Sequence, residues 1–503
     1  MKSIWTSQYS ERLFLLLVLC VALFLFLANL GNQYLWQDEA QTALISKTIL
    51  NHGIPLGCDG RNYFSQDLGA EYGKNYVWKW HPWFPFYLLA LFFKLFGFST
   101  FAARLPFALF GIATTFLSYY LCKELWKDTR TAALAAILLL LSVPFLLLSR
   151  QCRYYAPAAF FSLLGLYGYV GVIGNRKSSI AILAVSAVLL FHTQFVFCAA
   201  LLGSVLLHSV IFYRNKFLKL LILSFVVALV SFPWVIWVYN VDYSKVHPQI
   251  FTVRAFCDSL WVYLRDIAKY VFSPLLLVIL LIPIFKRWVK TPKSFSKGVP
   301  VWTNLLLLVF FIVISLVALS LLSYAAFFRN LVALIPVFTL ITAFLLMFLV
   351  NANRIAGIVV TIILVAVSPI FDYLYEITHD YDSPIEGIVQ YLNKNGSKDD
   401  IVAITYGDMP LKFYTDMRIV GGLTGEDLSL AKQAKWVIVR KYVICEKDAK
   451  VREYLLRNLS WYNYRKIVIN YPDIPFENRE ELATHYFRTA TDEDRVVIFH
   501  KIR

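Results

Sequence analysis

Charge is scarce in this chain. Aspartate, glutamate, lysine and arginine together make up only 16% of its 503 residues, against 59% hydrophobic ones, and that balance sets it in a membrane rather than in water. Cysteine is sparse as well. The seven cysteines stand mostly alone in apolar segments, with neither a CxxC pair nor a CxxC…HxxxH spacing, so neither a disulfide framework nor a thiolate metal site is expected. The first apolar run lacks a small-residue cleavage site after a short core, which makes it a retained helix rather than a cleaved leader. Low-complexity tracts and short internal repeats are also lacking. The formal net charge of +16 would suit nucleic acid, but the cations lie largely in loops between apolar runs. Their pattern speaks of membrane topology, and no nucleic-acid partner is expected.

What the chain has in abundance is long apolar runs. "LFLLLVLCVALFLFLANL" (13–30) and "LLLLVFFIVISLVALSLL" (305–322) are each long enough for a hydrocarbon core of about 30 Å. Continuous runs rather than short alternating ones predict helices and not a barrel. Eleven crossings are expected, over 13–30, 103–122, 132–149, 155–174, 179–192, 194–213, 217–240, 270–286, 301–322, 329–349 and 355–371. The loops "CKELWKDTR", "GNRKSS", "YRNKFLK", "KRWVKTPKSFSKG" and "NANR" carry many of the cations. With all five inside, the N-terminus is inside and everything beyond 371 is outside. Segment 83–98 would reverse every later loop if it crossed, so it is expected to be an amphipathic or re-entrant helix at the outer face.

Beyond 372 hydrophobicity falls. "DIVAITY", "KWVIVRKYVI" and "DRVVIFHKI" read as strands, and "SPIEGIVQYLNKNG" as a helix with a serine cap and a closing glycine. The expected fold is a polytopic α-helical membrane region, 1–371, whose outer loop 31–102 holds juxtamembrane helices, followed by a small extracytoplasmic α/β domain, 372–503.

The outer face collects the unusual residues. "NQYLWQDEAQTALIS" (32–46) puts Asp38 and Glu39 side by side just past the first span. First-turn acids are common because they favour the positive end of a helix dipole. The functional alternative is a general base facing a membrane-borne substrate. Neighbouring helical residues point about 100° apart, so the two acids need not share a role, and Asp38 is the choice for the base. "SRQCRYYAP" brings Arg150, Arg153, Tyr154 and Tyr155. Arginine suits phosphate through paired N–H donors, and two arginines in a short outer turn oppose the positive-inside bias, although interfacial anchoring is the plainer role for such residues. Lys79 and His81 in "NYVWKWHPWFPFYL" either meet a lipid phosphate or belong to an interfacial belt. His192 in "FHTQF" reads as a structural histidine or a substrate contact, Arg329 in "YAAFFRNLVALIP" as a snorkelling anchor or a phosphate ligand, and Arg104 in "FAARLP" as structural or a head-group contact. Together, outer acids and outer cations suit an anionic lipid-linked donor whose reaction needs a base.

Taken in order, "YLWQDEAQTALIS", "KWHPWFPFYLLALFFKLFGFSTFAARLPFALFGIATTFLSYYL", "SRQCRYYAPAAFF" and "FFRNLVALIP" resemble the polytopic C-type glycosyltransferases of the protein O-mannosyltransferase and lipid A aminoarabinose transferase superfamily. The similarity covers most of residues 10–350, and the tail resembles the extracytoplasmic α/β domain of many bacterial members. The resemblance implies transfer of one sugar, with inversion, from a polyprenyl monophosphate donor to a glycolipid, envelope glycan or protein acceptor. It implies a prokaryotic cytoplasmic (inner) membrane with the site outside, membrane lipids as further partners and no cofactor. Asp38 matches the family's proposed base, with Glu39 beside it. Arg150, Arg153 and Lys79 or His81 match the phosphate clamp. Members with a lysine followed by two prolines differ from "KWHPW", where His81 takes the lysine's position and Lys79 stands two residues earlier. "SRQCRYYA" holds no carboxylate of the kind that binds metal in oligosaccharyltransferases, so metal independence is implied.

A transporter or flippase of a polyprenyl-linked glycan is the alternative from another class. Transporters usually show internal repeats and interrupted helices near the midplane. Here ionisable residues gather at one face, which favours an interfacial enzyme. A polymer ligase using a diphosphate-linked oligosaccharide remains a further reading within the enzyme class.

Overall fold

The computed structural model describes residues 8–239, 252–285, 301–323, 325–380, 383–422, 428–441, 446–474, 485 and 494–502. The chain forms two compact units: Met1–Ala28, Phe107–Pro233 and Gln249–Leu374 make one, and Asn29–Pro106, Trp234–Pro248 and Tyr375–Arg503 make the other.

The first unit is helical because in lipid the polar backbone of an apolar segment satisfies its N–H and C=O groups only within that segment. Among the described residues, Tyr9–Leu27, Thr100–Trp126, Tyr155–Ile173, Ser179–Phe212, Arg214–Trp237, Trp302–Leu322 and Leu334–Ala352 are long and apolar enough to cross a membrane. Two bent pairs, Thr129–Leu140 with Val143–Ser149 at 64° and Arg354–Val367 with Ile370–Thr378 at 44°, raise the number from seven to nine. The chain is thus a polytopic helical membrane protein. The stretches 132–149 and 355–371, read from sequence as single unbroken crossings, are interrupted. Pro144 lies at the start of Val143–Ser149, where its missing N–H costs no helical bond, and the Leu141 carbonyl just before it accepts from Ser368 Oγ at 3.3 Å.

Ser179–Phe212 is not one rod. Gln194 is non-helical (φ −156°, ψ 96°), and Cys198 Sγ donates to Ala187 O at 3.2 Å. A straight helix would separate those two residues by about 16 Å, so the chain doubles back at Gln194, within the "HTQ" turn. Small residues allow the close approach of Tyr155–Ile173: a Cβ on Gly168 would lie 2.8 Å from Leu183 N, and one on Gly165 would lie 2.3 Å from Leu201 Cδ2, the small-residue packing expected between helices in lipid. The crossing expected at 270–286 begins in 3₁₀ turns at Pro274–Phe285, and its last residue lies outside the described ones.

The second unit carries a five-stranded mixed sheet: β1 Ile401–Ile404, β2 Arg418–Gly421, β3 Trp436–Ile438, β4 Tyr464–Pro472 and β5 Arg495–Lys501, in the order β2-β1-β3-β5-β4. β1 pairs in parallel with β2 and β3, and β5 runs antiparallel to β3 and β4. Successive side chains point to opposite faces. Val402, Ile404, Ile419, Trp436 and Ile438 therefore pack with Ile385, Ile388, Val389 and Leu392 of the helix Pro384–Asn395. Ala403, Val420 and Val437 pack on the other face with Val451 and Leu455 of Glu446–Asn458. The serine cap is present: Ser383 Oγ accepts from Glu386 N and Glu386 Oε2 accepts from Ser383 N, a capping box.

Residues 29–106 belong to this same unit. They supply the helix Gln37–His52, closed by Gly53 at φ 76°, and the 13-residue helix Phe84–Phe96. The latter is about 20 Å long and too short to cross a bilayer upright.

Candidate active site

Asp38 and Glu39 occupy the first turn of Gln37–His52, where carboxylates meet the positive end of the helix dipole. Their surroundings differ completely. Glu39 is fully buried and closed into a bidentate ion pair, with Arg104 Nε donating to Oε1 at 2.9 Å and Nη2 to Oε2 at 2.7 Å. Trp36 N also donates to Glu39 Oε2 at 3.4 Å, completing the helix start. Arg104 further donates to the carbonyls of Leu30, Gln33 and Tyr34. It is therefore a structural residue that ties the preceding loop to Glu39, and Glu39 is occupied by that pairing.

Asp38 is only partly buried. Its Oδ1 accepts from Gln66 Nε2 at 3.1 Å, and its main-chain carbonyl accepts from Thr42 Oγ1. Gln66 is held by a second acid. Glu71, 2% exposed, accepts from the backbone N–H groups of Gln66 and Asp67, from the Ser65 hydroxyl and from Gln41 Nε2. Burial pushes its carboxyl up to about 7 despite those donors. Lys79 N donates to the Glu71 carbonyl at 2.9 Å, so Lys79 is linked by backbone to the residue that braces Gln66. The Lys79 ammonium lies 5.9 Å from the centre of the Trp237 ring, and His81 stacks on Trp78 with centroids 6.4 Å apart.

The start of Asp38's helix is anchored by residues far along the chain. Gln37 Nε2 donates to Asp408 Oδ1 at 2.6 Å, and Asp408 Oδ2 accepts from Lys412 Nζ at 2.7 Å, both side chains being fully buried. Lys412 also donates to Tyr63 O. Tyr34 N donates to Glu386 Oε1 at 2.7 Å and Leu35 N to the Tyr414 hydroxyl at 2.9 Å, while the Tyr34 and Tyr414 rings stack 4.1 Å apart. Gly422, at φ 68°, passes where a Cβ would lie 2.4 Å from Asp408 Oδ1, a close approach that only glycine makes. Removing one partner of a buried pair leaves an uncompensated charge. Lys412→Met is accordingly expected to cost about 3–5 kcal/mol of stability, read as a lower melting temperature in detergent. An unchanged melting temperature would contradict the anchoring role.

The first unit holds the other residues singled out from sequence. Arg150 donates to Leu25 O at 3.0 Å and Ala28 O at 2.8 Å, and Tyr373 hydroxyl joins it on Leu25 O. It satisfies carbonyls at the C-terminal end of Gln8–Leu27, a favourable place for a cation. Arg153, 7% exposed, lies 5.9 Å from the centre of the Tyr154 ring. Tyr154 immediately precedes Tyr155–Ile173 without a side-chain capping bond, and Tyr155 is fully buried in its first turn. His192 is half-buried, two residues before the Gln194 reversal. Arg329 sits in the 3₁₀ turn Phe328–Leu331 with its guanidinium 4.2 Å from the centre of the Phe327 ring.

Gln66, Glu71, Gln37, Asp408, Lys412 and Glu386 were not foreseen as parts of this arrangement. Asp408 and Lys412 did carry a trace in the sequence: acid and base at i, i+4, the spacing that pairs side chains on a helix. Glu71 carried none, because its donors come from the irregular turn Ser65–Asp67 and from Gln41.

Residues 80–237 match a family model described as dolichyl-phosphate-mannose-protein mannosyltransferase. A stretch of 173 residues is 28% identical to an uncharacterized protein of Aquifex aeolicus, covering 34% of this chain and 32% of that protein, so the chain spans about a third of that relative's length. Among solved structures, ArnT from Cupriavidus metallidurans is similar in its apo state, with TM-score 0.59 and 15% identity over 98% of this chain and 99% of that one. The same protein bound to undecaprenyl phosphate is similar at TM-score 0.58 and 14% identity, covering 97% of this chain and 98% of that one. The archaeal oligosaccharyltransferase AglB from Archaeoglobus fulgidus, in complex with an inhibitory peptide and a dolichol-phosphate, matches at TM-score 0.52 and 14% identity over 87% of this chain and 70% of that one. At these identities the likeness to solved structures is one of fold.

Proposed function

From a chain whose residues 80–237 carry the dolichyl-phosphate-mannose-protein mannosyltransferase signature and whose fold is that of ArnT over nearly its full length, we infer a membrane glycosyltransferase that takes its sugar from a polyprenyl-phosphate donor. Asp38 is the general base. The single observation that carries this assignment is the contrast within the acidic pair: Glu39 is consumed by Arg104, while Asp38 stays partly exposed, in a helix's first turn, with Gln66 fixing its carboxylate.

In the proposed reaction the Asp38 carboxylate takes the proton from an acceptor hydroxyl as its oxygen bonds to the anomeric carbon. The bond from that carbon to the donor's phosphate oxygen breaks, its electron pair leaves with the polyprenyl phosphate, and the anomeric centre inverts. A cation beside the departing phosphate stabilises the charge that develops there. Lys79 or His81 is assigned that role in the Asp38 unit. Arg153 and Arg329 are candidates for donor phosphate, Tyr154, Tyr155 and His192 for substrate contacts. Arg150 is assigned first to the end of Gln8–Leu27, whose carbonyls take its donors. The acceptor is a glycolipid, an envelope glycan or a protein.

The topology proposed with this reading has eleven crossings, the N-terminus inside, and Asp38 and the α/β domain of 372–503 outside a prokaryotic cytoplasmic membrane. The test is incubation of the purified protein in nanodiscs with radiolabelled undecaprenyl-phosphate sugars and a cell-envelope lipid extract. Label leaving the donor for an acceptor supports the transferase. Movement of intact donor between leaflets without transfer would replace it with a flippase.

A further inference from the structure

The buried carboxyl of Glu71 takes no part in the reaction just described, yet four donors converge on it. Its Oε1 accepts from Gln66 N at 2.7 Å and Gln41 Nε2 at 3.3 Å. Its Oε2 accepts from Asp67 N at 3.1 Å and from the Ser65 hydroxyl. Ser65 Oγ in turn accepts from the N–H groups of Asp67 and Gly69. The turn 65–69 is thus wound around one carboxylate. At its exposed side Gln66 turns outward and donates to Asp38 Oδ1 at 3.1 Å, while Gln41, one helical turn beyond Asp38, closes the loop from the other side. On the far side of Glu71 its carbonyl receives Lys79 N.

We propose that Glu71 is a positioning residue for the transfer: through Gln66 it fixes the Asp38 carboxylate, and through its main chain it fixes the segment that carries Lys79. The inference rests on Asp38 being the base. All four groups on Glu71 donate, so only the ionised carboxylate satisfies them together. Protonation turns one acceptor oxygen into a donor, sets it against a backbone N–H or the Ser65 hydroxyl, and loosens the turn that holds Gln66. Burial, with the Asp67 charge added, places that protonation near pH 7. Among the described residues the charge that acts on Glu71 is that of Asp67 in its own turn; Asp38 on the helix Gln37–His52 is linked to it across Gln66, and Lys79 through its backbone N–H. Activity is therefore high above about pH 7 and falls as pH drops through that value.

The experiment measures kcat, KM for a radiolabelled undecaprenyl-phosphate sugar and the pH profile of kcat in nanodiscs, for wild type, Glu71→Gln, Gln66→Ala and Asp38→Asn. Glu71→Gln keeps one acceptor oxygen but faces the other donors with an amide N–H2. It is expected to lower kcat roughly 10- to 100-fold, the scale of a small misplacement of a catalytic group, to leave donor KM within about threefold, and to abolish the fall of kcat near pH 7. Gln66→Ala, at a part-buried position, is expected to lower kcat similarly while keeping the protein folded. Wild-type kcat and an unchanged acid limb in Glu71→Gln would overturn the proposal. Should Glu71→Gln fail to fold, wild-type kcat in Gln66→Ala overturns it instead. Full activity of Asp38→Asn would remove the base assignment beneath it, an outcome separate from either of these.

Discussion

Asp38→Asn is expected to lower kcat for sugar transfer by about 10²–10⁴-fold, the usual contribution of a positioned general base, while leaving the protein folded. The two halves of that result have separate causes. Asparagine keeps the side-chain shape, and its carbonyl oxygen still accepts from Gln66 Nε2, the partner seen on Asp38 Oδ1. What it loses structurally is a charge at a helix start, worth about 0.3–1 kcal/mol at an exposed position. The chemical loss is larger, because an amide has no basicity to take a hydroxyl proton in the transition state. Activity and stability are thus expected to part company, and comparing kcat with thermal unfolding in the same detergent reads both. Full activity in Asp38→Asn would return the acid to a plain first-turn role.

Arg104→Met is expected to show the reverse: a loss of about 3–5 kcal/mol of stability, the cost of leaving a buried charge without its partner. Glu39 has no exposure at all and takes two donors from Arg104. The same guanidinium satisfies the carbonyls of Leu30, Gln33 and Tyr34, so one truncation strands a carboxylate and three backbone acceptors. Combining it with Glu39→Leu removes the stranded charge and is expected to recover part of the loss, since a buried pair replaced by apolar residues is often close to neutral. Thermal unfolding of wild type, the single variants and the double variant forms the cycle. If Arg104→Met stayed within about 0.5 kcal/mol of wild type, the change expected of a surface substitution, the structural role of Glu39 would fall, and with it the division of labour in the acidic pair.

That division shows where sequence reading ends. The pair's position just past the first span, and its place in a helix's first turn, were legible because apolar run length and helix-start acids are local features. The serine cap at Ser383 and its Glu386 partner three residues on were legible for the same reason. That Glu39 is the acid paired in the buried ion pair depends on Arg104, 65 residues away, and no spacing rule connects the two. The second duty of Glu386, receiving Tyr34 N, reaches across 352 residues. β1, β3 and β5 announced themselves as β-branched runs. β2, "RIVG", runs directly into a second glycine, Gly422, and β4, "YRKIVINYP", mixes charged and polar residues with apolar ones on a half-exposed ladder. The helix Asp408–Tyr414 contains Pro410 near its start, so "GDMPLKF" reads locally as a turn, though proline at a first turn is compatible with a helix. Interruptions of the expected crossings at Leu141–Ser142 and Ser368–Pro369 were equally hidden, since hydropathy averages over a break of one or two residues.

We expect transfer of a sugar from a polyprenyl-phosphate donor with Asp38 as base. It is tested most directly by following the radiolabel of undecaprenyl-phosphate sugars, incubated with wild-type protein and cell-envelope acceptors in nanodiscs, beside Asp38→Asn. Wild type is expected to release labelled product and free undecaprenyl phosphate in equal amounts, and the variant neither. Donor that stays intact with every sugar and acceptor offered to folded wild-type protein, or equal product from the variant, would contradict it.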